Sequence, residues 1–104
     1  METKIDIPSD QIANYCRRWK ITEFSLFGSV LREDFRADSD IDVLVTFASD
    51  ARWSLFDLVE MEDELSRILR RDVDLVEREA VARSPNYIRR NNILQSAQVI
   101  YAAR

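Results

Sequence analysis

The sequence predicts an α+β (mixed α/β) domain, and three observations carry that expectation. Two stretches, 10–20 and 54–70, repeat apolar residues every three to four positions, as amphipathic helices do. Three short stretches, 22–27, 41–47 and 72–77, are apolar either alternately or continuously over strand lengths. The composition, 46% hydrophobic and 33% charged over 104 residues, is that of a globular chain with one core, so a single domain is expected over 1–104.

The elements follow in order. Ser9 is placed to cap a helix over 10–20, with Ile12, Tyr15, Cys16 and Trp19 as its apolar stripe. Cys16 on that stripe reads as a core residue rather than a reactive thiol. Phe24 and Leu26 alternate with Glu23 and Ser25 in a first strand that runs into Gly28-Ser29. A short helix is expected over 30–35 and a polar connector over 36–39. The run 41–47, with Val43, Leu44 and Val45, is apolar on both faces and so predicts a central strand. In the helix 54–70, Leu55, Leu58, Met61, Leu65 and Ile68 are expected on one buried face. Acids come early in this helix and Arg67, Arg70 and Arg71 late, an order that complements the helix dipole. Val73 and Leu75 alternate in a third strand, 72–77. A polar helix around 86–96 and a short strand 98–101 complete the chain.

What is missing narrows the chemistry. There is no His and one Cys, which excludes Ser-His-Asp and Cys-His nucleophiles, zinc sites of His and Cys, and an internal disulfide. A single Gly excludes dinucleotide fingerprints and P-loops. An enzyme built from this chain works with carboxylates, arginines, hydroxyls and a borrowed metal ion. No apolar run approaches the ~20 residues that span a bilayer, and METKIDIPSD lacks the apolar core of a signal peptide, so a cytoplasmic chain without membrane contact is expected. Net charge is −4, split between a half that is −8 (1–66) and one that is +4 (67–104). Either the halves attract each other or lie on solvated faces, or arginines of the second half face an anionic ligand or acidic partner.

The residues that carry chemistry cluster in 24–47. The lone glycine stands where a strand ends, followed by a Ser that opens a helix. Glycine there permits a positive φ or a ligand against the backbone, and a helix N-terminus favours phosphate; taken alone, the pair is also what an ordinary turn contains. Asp40 and Asp42 stand two apart, so in a strand both carboxylates point to one side and can converge on a hard cation; an isolated pair is equally turn chemistry. Asp74 joins them if the second and third strands pair, with Asp72 as its substitute. Three carboxylates on one face repel unless a cation sits among them, and two Mg²⁺ ions are the usual arrangement in nucleotidyl transfer.

The segment FSLFGSVLREDFRADSDIDVLVTF, with Gly28-Ser29, ten intervening residues and Asp40-Ile41-Asp42, resembles the signature of the DNA polymerase beta-like nucleotidyltransferase superfamily. LFGSVLR and SDIDVLV resemble its minimal nucleotidyltransferase (MNT) branch, over about residues 10–101. The resemblance implies a minimal fold, a short mixed β-sheet with helices packed against it. It implies that Gly28 and Ser29 contact the nucleotide phosphates, that Asp40, Asp42 and Asp74 bind metal and perform catalysis, and that Arg32 assists. Glu33 stands where the family often has glycine.

It further implies a Mg²⁺-dependent adenylyltransferase that moves AMP from ATP to a tyrosine of a HEPN-family toxin, acting as an antitoxin, with no direct nucleic-acid binding. The small size agrees with an acceptor supplied by another protein. Two other functions are weighed against it. A non-catalytic antitoxin would neutralise its partner by occlusion, which needs none of the carboxylates. A small-molecule nucleotidyltransferase would need a substrate pocket built by dimerisation.

Overall fold

The computed structural model describes residues 7–28 and 40–103. The elements run α1 (Ser9–Arg18), β1 (Ile21–Phe27), β2 (Ile41–Phe47), α2 (Leu55–Leu69), β3 (Val73–Glu77), α3 (Arg78–Ala82), α4 (Tyr87–Ser96) and β4 (Gln98–Ala102). The helix expected over 30–35 and the connector 36–39 lie outside the described residues.

The strands form one mixed sheet in the order β3-β2-β1-β4. β1 is antiparallel to both β2 and β4, whereas β2 and β3 are parallel and joined by α2 as crossover. This is the short mixed α+β sheet that the resemblance implies, with the apolar β2 inside it. Side chains alternate between faces along each strand. Ile41, Val43 and Val45 of β2, Val73 of β3 and Phe24 and Leu26 of β1 face α1 and α2, and pack with Ile12, Met61 and Leu65. Phe27, Leu44 and Val76 face the other way, against Val81 of α3 and Ile93 of α4.

α1 is tied to α2 inside the larger core. The Tyr15 hydroxyl donates to the Met61 carbonyl at 2.9 Å, and burial raises the phenol's pKa. Cys16 is fully buried beside it and burial pushes its thiol up to about 12, as a core residue requires. Trp19 and Trp53 meet edge to face at 5.2 Å. The Trp53 indole N–H donates to the Trp19 carbonyl, and that of Trp19 to Glu64, which also holds Arg18.

Three expectations are corrected. Pro8, not Ser9, occupies the N-cap of α1 and offers no side-chain cap; Ser9 is already helical. Leu55 is 75% exposed, because the buried stripe of α2 runs through Met61, Leu65 and Leu69 and leaves the first turn off the core. Residues 78–82, given no element from sequence, form α3, whose five residues are too few to display a helical period. α2 begins instead at a capping box: Ser54 Oγ accepts from the Asp57 N–H, and Asp57 Oδ2 accepts from the Ser54 N–H. The reading in which the oppositely charged halves attract each other has two ion pairs among the described residues, Arg78 to Glu23 at 3.4 Å and, within α2, Arg67 to Asp63 at 3.1 Å.

Candidate active site

Three strand ends meet at one end of the sheet. β1 leaves where β2 and β3 enter, because β1 is antiparallel to β2 and β2 is parallel to β3. Phe27, Asp42 and Asp74 therefore stand in one row across three strands, Phe27 paired with Asp42 and Asp42 with Asp74. Alternation sends all three to the face that carries α3 and α4. Adjacent strands lie about 4.8 Å apart, so the two aspartates are immediate neighbours. Asp42 is half-buried and Asp74 exposed.

Gly28 closes this row. Its φ of +77° lies in the left-handed region, which a side-chain-bearing residue enters at a cost of about 1–2 kcal/mol. Space makes the same demand, since a Cβ on Gly28 would overlap Oδ2 of Asp42. The only glycine thus brings bare backbone directly against a carboxylate.

The remaining candidates are placed less closely. Asp40 is exposed and lies just before β2, outside the paired ladder. Asp72 is exposed and contributes its carbonyl, which accepts from the Ile41 N–H at 2.9 Å and extends the ladder by one step. Ser29, Arg32 and Glu33 lie outside the described residues. Among the described residues no three of His, Cys, Asp and Glu are gathered around one point. What the fold brings together is the pair Asp42–Asp74 with Gly28.

That pair fits a divalent cation. Mg²⁺ is bound through one or two carboxylates with substrate phosphates completing its shell, and the missing Cβ of Gly28 leaves backbone open beside Asp42 for a phosphate-bearing ligand. Two carboxylates this close repel each other, and a cation between them relieves that repulsion.

A cavity of about 270 Å³ lies at the opposite end of the sheet, where Phe47, Trp53 and Leu58 meet Arg52, Glu77 and Glu79. It is remote from the glycine and the aspartate row. A feature of that far end escaped the reading of the sequence: Leu55, Phe56 and Val59 are exposed together. The available signal was the adjacent pair Leu55-Phe56, which cannot both lie on one buried helical stripe.

The family model described as a nucleotidyltransferase domain matches residues 9–100. Protein adenylyltransferase MntA of Thermococcus cleftensis is 39% identical over 59 residues, 57% of this chain and 58% of that protein. The chain spans about three fifths of the length of the curated relatives it matches. A solved structure described provisionally as a minimal nucleotidyltransferase superposes with a TM-score of 0.65 at 29% identity, covering 86% of each chain. The fold is also shared with a solved structure of a tri-AMPylated Shewanella oneidensis HEPN toxin in complex with an MNT antitoxin. There the TM-score is 0.62 at 24% identity, over 91% of this chain and 70% of that one.

Proposed function

Because this chain belongs to the nucleotidyltransferase domain family, in its minimal branch, we propose that it is a Mg²⁺-dependent protein adenylyltransferase that acts as an antitoxin. It moves AMP from ATP to a tyrosine of a HEPN-family toxin. The observation that carries this reading is Gly28 packed on Asp42 with Asp74 beside it in register. Occlusion of a partner requires no such arrangement. The name of the protein adenylyltransferase relative and the complex of an AMPylated HEPN toxin with an MNT antitoxin support a protein acceptor of that kind.

Each residue then has a role. Gly28 and Ser29 hold the ATP phosphates, with Arg32 adding positive charge. Asp42 and Asp74, joined by Asp40 from just before β2, would hold the metal, which when bound would supply neutralisation of phosphate charge and a lower pKa for the attacking hydroxyl. The tyrosyl oxygen bonds to the α-phosphorus, and the bond from that phosphorus to the bridging oxygen breaks. Pyrophosphate leaves with the electron pair. Asp74, exposed at the end of the row, would either complete the metal site or take the proton of the attacking hydroxyl. Most of the rate comes from positioning and charge neutralisation, since no covalent enzyme intermediate is needed.

The test is intact-mass measurement of the HEPN-family partner after incubation with ATP, Mg²⁺ and a substoichiometric amount of this protein. The partner is expected to gain the mass of an AMP unit on a tyrosine and to stay inactive once this protein is removed. Full neutralisation with no mass change, requiring at least one copy per toxin, would replace catalysis by occlusion.

A further inference from the structure

At the far end of the sheet from the aspartate row, the first turns of α2 carry apolar side chains into solvent. Leu55 is 75%, Phe56 84% and Val59 59% exposed. The capping box at Ser54 and Asp57 closes this helix end, so these side chains project from an ordered turn. Leu55, Leu58, Val59 and Glu62 follow i, i+3, i+4, i+7 spacing and form one wall of a groove of about 220 Å³, floored by Val45, Phe47 and Leu75. The groove and the neighbouring 270 Å³ cavity share Phe47, Leu58 and Glu77, so the two adjoin and are treated together as one furrow.

The charges along the furrow have one predominant sign. Glu62 and Glu77 line the groove, and Glu79 lines the cavity. Among the described residues lining the furrow, the one cation, Arg52, is turned onto the carbonyls of Ser49 and Ala51. An occupant must therefore bring apolar side chains flanked by positive charge. Its backbone form is restricted too. The Leu75 N–H of the edge strand β3 is already taken by Glu62 Oε2 at 3.0 Å, which blocks addition of a strand at that position.

We propose that this furrow is a docking surface for a basic amphipathic helix of a partner protein: an apolar ridge seated against Leu55, Val59 and Phe47, with Lys or Arg on its flanks meeting Glu62 and Glu77. The surface is separate from the nucleotidyl-transfer end, and the proposal stands whether or not the chain transfers AMP.

The probe is a labelled synthetic helix of about 18 residues, with Leu at i, i+3, i+4 and i+7 and Lys elsewhere. Its counterpart has Glu in place of Lys. Fluorescence anisotropy is expected to show binding of the Lys helix, weakening as salt rises, and little binding of the Glu helix. Leu55→Ser with Val59→Ser is expected to weaken the Lys helix roughly tenfold or more, whereas Val99→Ser, on the exposed edge strand β4, leaves it unchanged. Methyl NMR of the unmutated protein is expected to place the largest shifts at Leu55, Leu58 and Val59, independently of any variant. Three results would overturn the proposal: equal binding of the two helices, equal binding by the Leu55/Val59 variant, or a mass doubling of the free protein with concentration that this variant abolishes. The last would make a second copy the occupant.

Discussion

The two faces of the sheet are packed to different depths. Among the described residues, thirteen buried side chains form the core under α1 and α2, against four under α3 and α4. Each large apolar side chain buried contributes about 1.5–3 kcal/mol, so the first face supplies most of the burial that holds the sheet. The aspartate row lies on the second face, where half-buried and exposed positions leave carboxylates solvated. In β2 and β3 the division falls by parity: Ile41, Val43, Val45 and Val73 point to the deep core, Asp42 and Asp74 to the shallow one. The deep core and the proposed site thus use alternate residues of the same strands, and a slip of one residue would exchange them.

The sharpest way to test this separation is to alter the shallow face without touching the deep one. Asp42→Asn, alone or with Asp40→Asn, is expected to lower Mg²⁺-dependent AMP transfer by about 10²–10³-fold or more, since a lost metal contact removes several kcal/mol of transition-state stabilisation. The melting temperature without metal should stay level or rise slightly as repulsion between Asp42 and Asp74 is relieved. Unfolding of the variant would show the pair to be structural and erase the contrast.

The converse experiment removes apolar bulk from each face in turn. Leu65→Ala, at a site with no exposure in the deep core, is expected to cost about 3–5 kcal/mol in denaturant titration. Ile93→Ala, buried among fewer neighbours, is expected near 2 kcal/mol. Equal losses would mean that the shallow face carries as much of the fold as the deep one.

Gly28→Ala probes the seam between strand and site. Strain at φ +77° is expected to cost about 1–2 kcal/mol of stability. The larger consequence is displacement of the Asp42 carboxylate by the new Cβ, read as a fall in AMP transfer that exceeds the loss of folded protein. Transfer at the unmutated rate would detach the glycine from the site.

The smallest effect concerns a surface clasp behind the deep face. The Arg18 guanidinium hydrogen-bonded to Glu64 holds that carboxyl below the ordinary glutamate range, with the Trp19 N–H assisting. A depressed folded pKa adds stability that is fully present above the unfolded value and is lost as pH falls through the folded one. Acid-side melting curves of Glu64→Gln are therefore expected to be flatter with pH than those of the unmutated protein, the two converging at the acid end. Parallel curves would show the clasp to be inconsequential.

Much of this was legible in the residues themselves. Strand 41–47 declared itself because a run apolar on both faces suits only an interior strand, and Asp40 and Asp42 stand two apart, so strand geometry alone links them. The helix over 54–70 was visible in its period and in its charge order, whereas its capping box at Ser54 and Asp57 emerged only with the structure. What local sequence does not contain is pairing between distant segments. Asp74 lies 32 positions beyond Asp42, and only the parallel register of β2 with β3 sets them side by side. The sign of exposure at Leu55 was likewise undecidable from periodicity, which tells which residues share a helical face but not how far the helix extends past the core it covers. Contact between Gly28 and Asp42 has the same origin. A glycine's freedom is intrinsic, but the carboxylate that makes it necessary arrives from the neighbouring strand, through a ladder whose register is fixed by burial of the alternate residues.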